Sequence, residues 1–168
     1  MQAETVGHEG GFREAQGDEA EFVARLINEA YGPAVGFLYD GPRIAAGEVL
    51  EKLAQGKFLL ECGADETIHG CVYVEISGDC GYFGLLAVLP AYQGRGIARS
   101  LINEAESFCR RHGCRTMELG GVNHRNELLS FYARAGYAAT GEKPFLFERL
   151  RMPSHIVVMR KVLVVNDA

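Results

Sequence analysis

Residues 82–98 read YFGLLAVLPAYQGRGIA: a strand pattern apolar on both faces, a proline, then a glycine turn ahead of a helical pattern. A strand that is apolar on both faces must be covered on both sides, so it belongs inside a sheet flanked by other layers. Pro90 has no N–H to give to a ladder and stops the strand. Beyond the turn, Ile97, Leu101, Ala105 and Phe108 recur on one stripe of a helix from about Gly96 to His112, with Gly113 as its terminator. This order sets the unpaired N–H groups of the helix start beside the end of a buried strand, and glycines there let a ligand approach the backbone closely. The helix dipole contributes roughly half a positive charge at that end. With Arg95 and Arg99 added, the stretch from Gln93 through Gly94, Gly96, Ile97 and Ala98 to Arg99 reads as a phosphate seat. A glycine turn that merely joins strand to helix has the same sequence signature.

The rest of the chain supplies the layers. Residues 18–31 place Phe22, Leu26 and Ile27 at helical spacing behind an Asp18 cap, which predicts a helix ending before Gly32-Pro33. Residues 32–47 read as a loop, and Gly47 to Gln55 as a short helix. Strands are predicted over 57–62 and 68–76, the second alternating Val72, Val74 and Ile76 with Cys71, Tyr73 and Glu75, and turning at Ser77-Gly78-Asp79 into the buried strand. A strand near 115–122, a helix near 126–135 stopped by Gly136, and closing strands near 137–140 and 155–165 complete the order. The expectation is a mixed α/β fold, one domain over residues 1–168, with a central sheet and helices on both faces.

Composition narrows the function classes. Hydrophobic residues make up 48% of the 168 and charged residues 23%, without a biased tract, so disordered, collagen-like and coiled-coil classes are excluded. Apolar runs such as 83–89 are far shorter than the roughly 18–20 residues of a spanning helix, so no membrane association is expected. The first residues, MQAETVGHEGG, lack a signal-peptide pattern, and five cysteines form an odd, irregular set, which reads as a reduced, cytoplasmic protein. Residues 1–81 carry five Lys/Arg against fifteen Asp/Glu, and residues 82–168 carry twelve against seven. That split argues against a nucleic-acid footprint and for separate anion and cation regions; solvated faces give the same counts.

Other chemistries fit less well. A dinucleotide fingerprint would need a third glycine where Arg99 stands, and a tighter turn than the four residues from Pro90 to Gln93 allow. The chain has no Gly-Lys-Ser/Thr P-loop. Cys109-x-x-His112-x-Cys114 straddles a helix end without a second ligand cluster, so no metal is expected, and Cys109 reads as a buried small residue.

The stretch 86–98, LAVLPAYQGRGIA, resembles the acetyl-CoA motif of the GNAT superfamily of N-acetyltransferases: Gln93, Gly96 and Ala98, preceded by Val88 and Pro90. Residues 131–137, Phe-Tyr-Ala-Arg-Ala-Gly-Tyr, are similar to that family's Tyr-bearing helix with its Gly-aromatic pair. The resemblance covers about residues 12–161, with an opening strand around Phe12-Arg13-Glu14-Ala15. It implies a mixed, mostly antiparallel sheet with a splayed central strand pair, 82–89 and 115–122. It further implies acetyl-CoA as co-substrate, its pantetheine pairing with main-chain groups near Leu86 and Val88 like an added strand, and its pyrophosphate on 93–98. A main-chain N–H near Val88 would stabilise the oxyanion, and an amine would attack the thioester directly.

The same resemblance makes Tyr132 the expected proton donor to the departing thiolate; by pattern alone it is one of an apolar helical stripe with Leu128, Leu129 and Phe131. The family's Asn, seven residues before that Tyr, falls on Arg125, with Asn126 one residue off, so either or neither contacts the cofactor. No general base is evident: Glu75, Glu118 and His124 are candidates, each also readable as an ordinary strand or loop residue. Two rival readings are a non-catalytic acetyl-CoA-binding sensor and a transferase of another acyl-CoA. The acceptor is expected to be a small-molecule or peptide primary amine, drawn by an acidic rim of Glu21, Glu29, Asp40, Glu48 and Glu51 and touched by Phe37, Leu38 and Tyr39. A homodimer is left open.

Overall fold

The computed structural model describes residues 10–163. The chain opens with β1 (Gly11–Glu14), a 3₁₀ turn over Gly17–Glu19, α1 (Ala20–Val35) and α2 (Ala46–Leu53). Strands β2 (Lys57–Cys62), β3 (Ile68–Ser77) and β4 (Cys80–Val88) follow, then a 3₁₀ turn over Pro90–Tyr92 and α3 (Ile97–Arg111). The last elements are β5 (Thr116–Val122), α4 (Asn126–Arg134), β6 (Ala138–Pro144) and β7 (His155–Val162). One seven-stranded sheet has the order β1-β2-β3-β4-β5-β7-β6, antiparallel except where β4 and β5 run parallel. This is the mixed, mostly antiparallel sheet expected above.

Two cores cover its faces, as the two-sided apolar pattern of β4 requires. On one face, Val72, Val74 and Phe83 pack with Leu101, Ile102 and Ala105 of α3 and Tyr132 of α4. On the other, Phe58, Leu60, Cys71 and Tyr73 pack with Val23, Leu26 and Ile27 of α1 and Val49 of α2. The parallel pair stays together only from Cys80↔Thr116 to Phe83↔Leu119, and the strands then part. That leaves the β4 edge over residues 84–88 without a strand partner among the described residues. A β-bulge opposite Cys71–Tyr73 lies in the same stretch, with Leu85 at φ +50°. Bulges bend a strand and re-aim its groups, which suits the point where a sheet splits.

Local differences from the expected elements have physical causes. Helix α1 does not stop before Gly32-Pro33; it runs through them to Val35. Glu29 and Pro33 are both exposed, so the bond Pro33 cannot donate is missing on the solvent side of the helix, while Val35 and Leu38 are buried and anchor the extension. Asp18 does not cap it. The 3₁₀ turn precedes the helix, with the Gln16 N–H donating to the Glu19 carboxylate at 2.9 Å. Strand β6 extends to Pro144, further than expected, and its fully exposed residues give no burial alternation to read. The end of the last expected strand, beyond residue 163, lies outside the described residues, as does most of the N-terminal segment. Among the described residues, no helix is long and apolar enough to cross a membrane.

Candidate active site

The splay of β4 from β5 opens a cavity of about 670 Å³, within the size range of small-molecule sites. Leu86, Val88, Gln93 and Ala98 line it from the strand end and the start of α3, and Tyr132 from α4. From the opposite layer come Tyr31, Tyr39, Arg43 and Lys52, with Tyr73 and Tyr82 rising from the sheet. The cavity therefore joins the two layers through the split.

At its α3 end the loop has the geometry that an anion needs. Gly94 and Gly96 both take φ +79°, and a Cβ at either would meet nothing within 4 Å, so the backbone there faces open space. The first intrahelical bond runs from the Ser100 N–H to the Gly96 carbonyl at 3.1 Å, which leaves the N–H groups of Ile97, Ala98 and Arg99 ahead of it. Among the described residues, no main-chain carbonyl takes the N–H of Gly94, Arg95 or Gly96. The Gln93 side-chain amide donates to the Val88 carbonyl at 3.1 Å, tying the loop to the strand end. Ile97 is buried and anchors the helix start in the core, so only its backbone faces a ligand. Arg95 lies over the Tyr92 ring at 5.4 Å, and Arg99 is exposed. Open strand edge, free amides and left-handed glycines together fit a pantetheine arm and a pyrophosphate.

Tyr132 is buried, with Phe83 edge-on at 6.0 Å. Burial pushes its phenol up to about 12, and Arg125 acts in the opposite direction. It therefore stays protonated throughout the neutral range and is available as a donor. Asn126 is exposed and does not line the cavity; Arg125, which stands at the family's Asn spacing, does. None of the three base candidates lines the cavity. Glu118 pairs with Arg160 at 2.8 Å, and the His124 ring meets the Pro153 carbonyl at 2.8 Å. Glu75 stands behind the wall, accepting the Tyr73 hydroxyl at 3.0 Å. His112 is engaged with the Phe108 carbonyl at 2.8 Å, and Cys109 is buried.

The expected acidic rim is absent from the walls. Glu21, Glu29, Asp40, Glu48 and Glu51 are all exposed and none lines the cavity, because each sits on the outward face of its helix or loop. Of the three apolar loop residues, Leu38 and Tyr39 do line it, whereas Phe37 is exposed. Sequence reasoning missed Tyr31, Arg43, Lys52, Tyr73 and Tyr82. Only Tyr31 and Tyr73 carry a signal, as large residues continuing a core stripe; nothing marks Arg43 or Lys52.

Comparison with known proteins agrees with this geometry. Among solved structures, an acetyltransferase from Thermoplasma acidophilum in complex with coenzyme A superposes with a TM-score of 0.73 at 17% identity, covering 91% of this chain and 98% of that one. The ribosomal-protein-S18-alanine N-acetyltransferase of Escherichia coli gives 0.73 at 11% identity, covering 95% and 98%. A variant of the spermidine N-acetyltransferase SpeG of Vibrio cholerae gives 0.72 at 17% identity, covering 92% and 94%. At such identities the likeness establishes the fold. No curated protein sequence matches the chain. The model of the acetyltransferase (GNAT) family, however, matches residues 20–137, which hold β2 to β5, the glycine loop and Tyr132. On that match, over a fold with the open strand edge and free loop amides described above, the chain belongs to the GNAT acetyltransferase family.

Proposed function

We propose that the chain, as one catalytic domain, is an acetyl-CoA-dependent N-acetyltransferase that acetylates a primary amine by direct attack, without a covalent enzyme intermediate. The observation that carries this reading is the continuous cavity through the split sheet, lined on one side by the open β4 edge, Gln93 and the start of α3, and on the other by residues of α1, α2 and the loop between them. Acetyl-CoA, when bound, supplies an activated acyl group on a good leaving thiolate.

The chain's residues do the rest. The amides of the 94–99 loop and helix start hold the pyrophosphate. The edge of β4 near Leu86 and Val88 aligns the pantetheine and turns a main-chain N–H toward the carbonyl oxygen. Tyr132 gives its hydroxyl proton to the sulfur as the C–S bond breaks and the N–C bond forms. One proton taken up from solvent restores the Tyr132 hydroxyl, and the neutral attacking amine loses one proton as the amide forms, so the exchange balances. The Tyr73 hydroxyl, hydrogen-bonded to Glu75, supplies an exit for that proton from the cavity wall.

A free-thiol assay on acetyl-CoA with a panel of amines tests this directly. Amine-dependent thiol release with matching N-acetylated product supports it. CoA binding without amine-dependent release would favour a non-catalytic sensor, and a preference for a longer acyl-CoA would change the donor.

A further inference from the structure

The charged lining of the cavity is chemically one-sided. Arg43, Lys52, Arg125 and Lys143 line the cavity, and no Asp or Glu does so among the described residues. Arg125 is paired to Glu127 at 2.8 Å. Arg43 has no carboxylate partner among the described residues; its guanidinium lies 5.4 Å over the Phe147 ring, and its main-chain N–H is fixed by Asn28 at 2.8 Å. Lys52 stands over the Tyr73 ring at 4.9 Å. Arg43 and Lys52 come from the layer opposite α3, away from the loop suited to pyrophosphate, so the donor's phosphates do not account for them.

A second observation lies beside them. Tyr39 lines the same cavity and is only 6% exposed, and its buried hydroxyl has no hydrogen-bond partner. Burying such a group unpaired is costly, and a ligand that accepts its hydrogen bond removes the cost. Its phenol sits in the positive field of Arg43, Arg125 and Arg149. A hydroxyl donor left empty beside an unpaired guanidinium is a complementary seat for an oxyanion, since Arg and O–H both donate and neither repels it. A polycation entering here would meet Arg43, Lys52 and Lys143 and, among the described residues, no lining carboxylate.

We propose that the acceptor is a small primary amine that also carries an oxyanion, a carboxylate or phosphonate, held by Arg43 and the Tyr39 hydroxyl while its amino group faces the thioester. The proposal rests on reading the cavity as the acceptor site of an N-acetyltransferase. The anion supplies the charge complement that an acidic rim would have supplied to a simple cation.

The test compares matched amines on the full chain: leucine with isoamylamine, phenylalanine with phenethylamine, aminomethylphosphonate with methylamine, and spermidine. Thiol release is expected with at least a tenfold higher kcat/KM for the oxyanion-bearing member of at least one pair, and the carboxylate and phosphonate arms separate the two oxyanions. Arg43→Gln and Tyr39→Phe are each expected to raise that acceptor's KM about tenfold while CoA affinity stays unchanged; Arg43→Lys gives a smaller rise and serves if the Gln variant fails to fold. Independently of turnover, calorimetry with N-acetyl-leucine and N-acetyl-isoamylamine on the CoA-loaded protein is expected to favour the former. Equal or better use of spermidine or of the partners that lack an oxyanion overturns this proposal and leaves the transferase reading intact. Absence of thiol release with every amine, despite CoA binding, overturns both.

Discussion

The side-chain amide of Gln93 donates to the main-chain carbonyl of Val88 across 3.1 Å. The bond spans the junction at which strand β4 hands over to the phosphate loop, so it fixes the loop's amides relative to the open strand edge. Gln93 itself is exposed, and a bond of this kind contributes about 0.5–1.5 kcal/mol. Gln93→Leu is expected to weaken CoA binding three- to tenfold by calorimetry, with thermal stability nearly unchanged.

In the proposed function Gly96 serves the same ligand through its backbone. Its φ of +79° lies where a β-branched side chain is strained by about 1–2 kcal/mol, although a Cβ there would meet nothing within 4 Å. Gly96→Val should therefore fold, with a lowered melting temperature, and lose measurable CoA binding as the loop relaxes out of its left-handed turn. Native CoA affinity in the folded variant would refute the loop's role.

Tyr132→Phe keeps the ring against Phe83 and removes the hydroxyl. Turnover should fall roughly a hundredfold while CoA affinity holds, since in the proposed mechanism the hydroxyl acts on the departing sulfur alone. Because the phenol sits at about 12, no fall in wild-type rate from Tyr132 ionisation is expected below pH 10. Full turnover in the Phe variant would remove Tyr132 from the mechanism.

The strands and the glycine turn ahead of α3 were legible because their cause is local: two-sided apolarity in β4, Pro90, and glycines at a helix start. The end of α1 was not, because burial of Val35 and Leu38 against a distant segment around Phe147 and Leu150 outweighs the Gly32-Pro33 stop signal. Tyr132 entered through family likeness rather than pattern. Arg43 and Lys52 were invisible, since a cation in a loop or on a half-exposed helix carries no sequence mark of which way it faces. Counting charges by halves pointed to an acidic acceptor side, whereas the folded walls select the basic minority of that half.

Stability has its own polar anchor. The Lys161 ammonium donates to both Glu106 carboxylate oxygens at 2.8 and 3.0 Å and to the Ala135 carbonyl at 3.0 Å, linking β7 to α3 and the end of α4. Glu106 is only 3% exposed. Lys161→Met should cost about 1–3 kcal/mol in denaturant unfolding, less than a fully stranded buried charge because Glu106 keeps the Tyr137 hydroxyl at 3.3 Å and Arg110 at 4.0 Å, and Lys161→Met combined with Glu106→Leu should recover part of the loss.

A second ion pair predicts acid sensitivity. The Arg13 guanidinium grips Glu19 at 2.8 and 2.7 Å and holds its carboxyl at about 2 against an ordinary 4.5. A lowered folded-state value means the contribution is complete above pH 4.5 and disappears as the pH falls toward 2. Solvent screening limits it to roughly 1 kcal/mol. The stability difference between wild type and Glu19→Gln should be constant at neutral pH and close through that acid window; a difference that persists at pH 2 would contradict the assignment.

The most direct test of the account is the rate of thiol release from acetyl-CoA by the full chain, with and without leucine or aminomethylphosphonate, with mass detection of the product. The account predicts release that depends on the acceptor, one N-acetyl group per thiol, and a roughly hundredfold loss in Tyr132→Phe. Tight acetyl-CoA binding with no amine-dependent thiol release from any acceptor would contradict it.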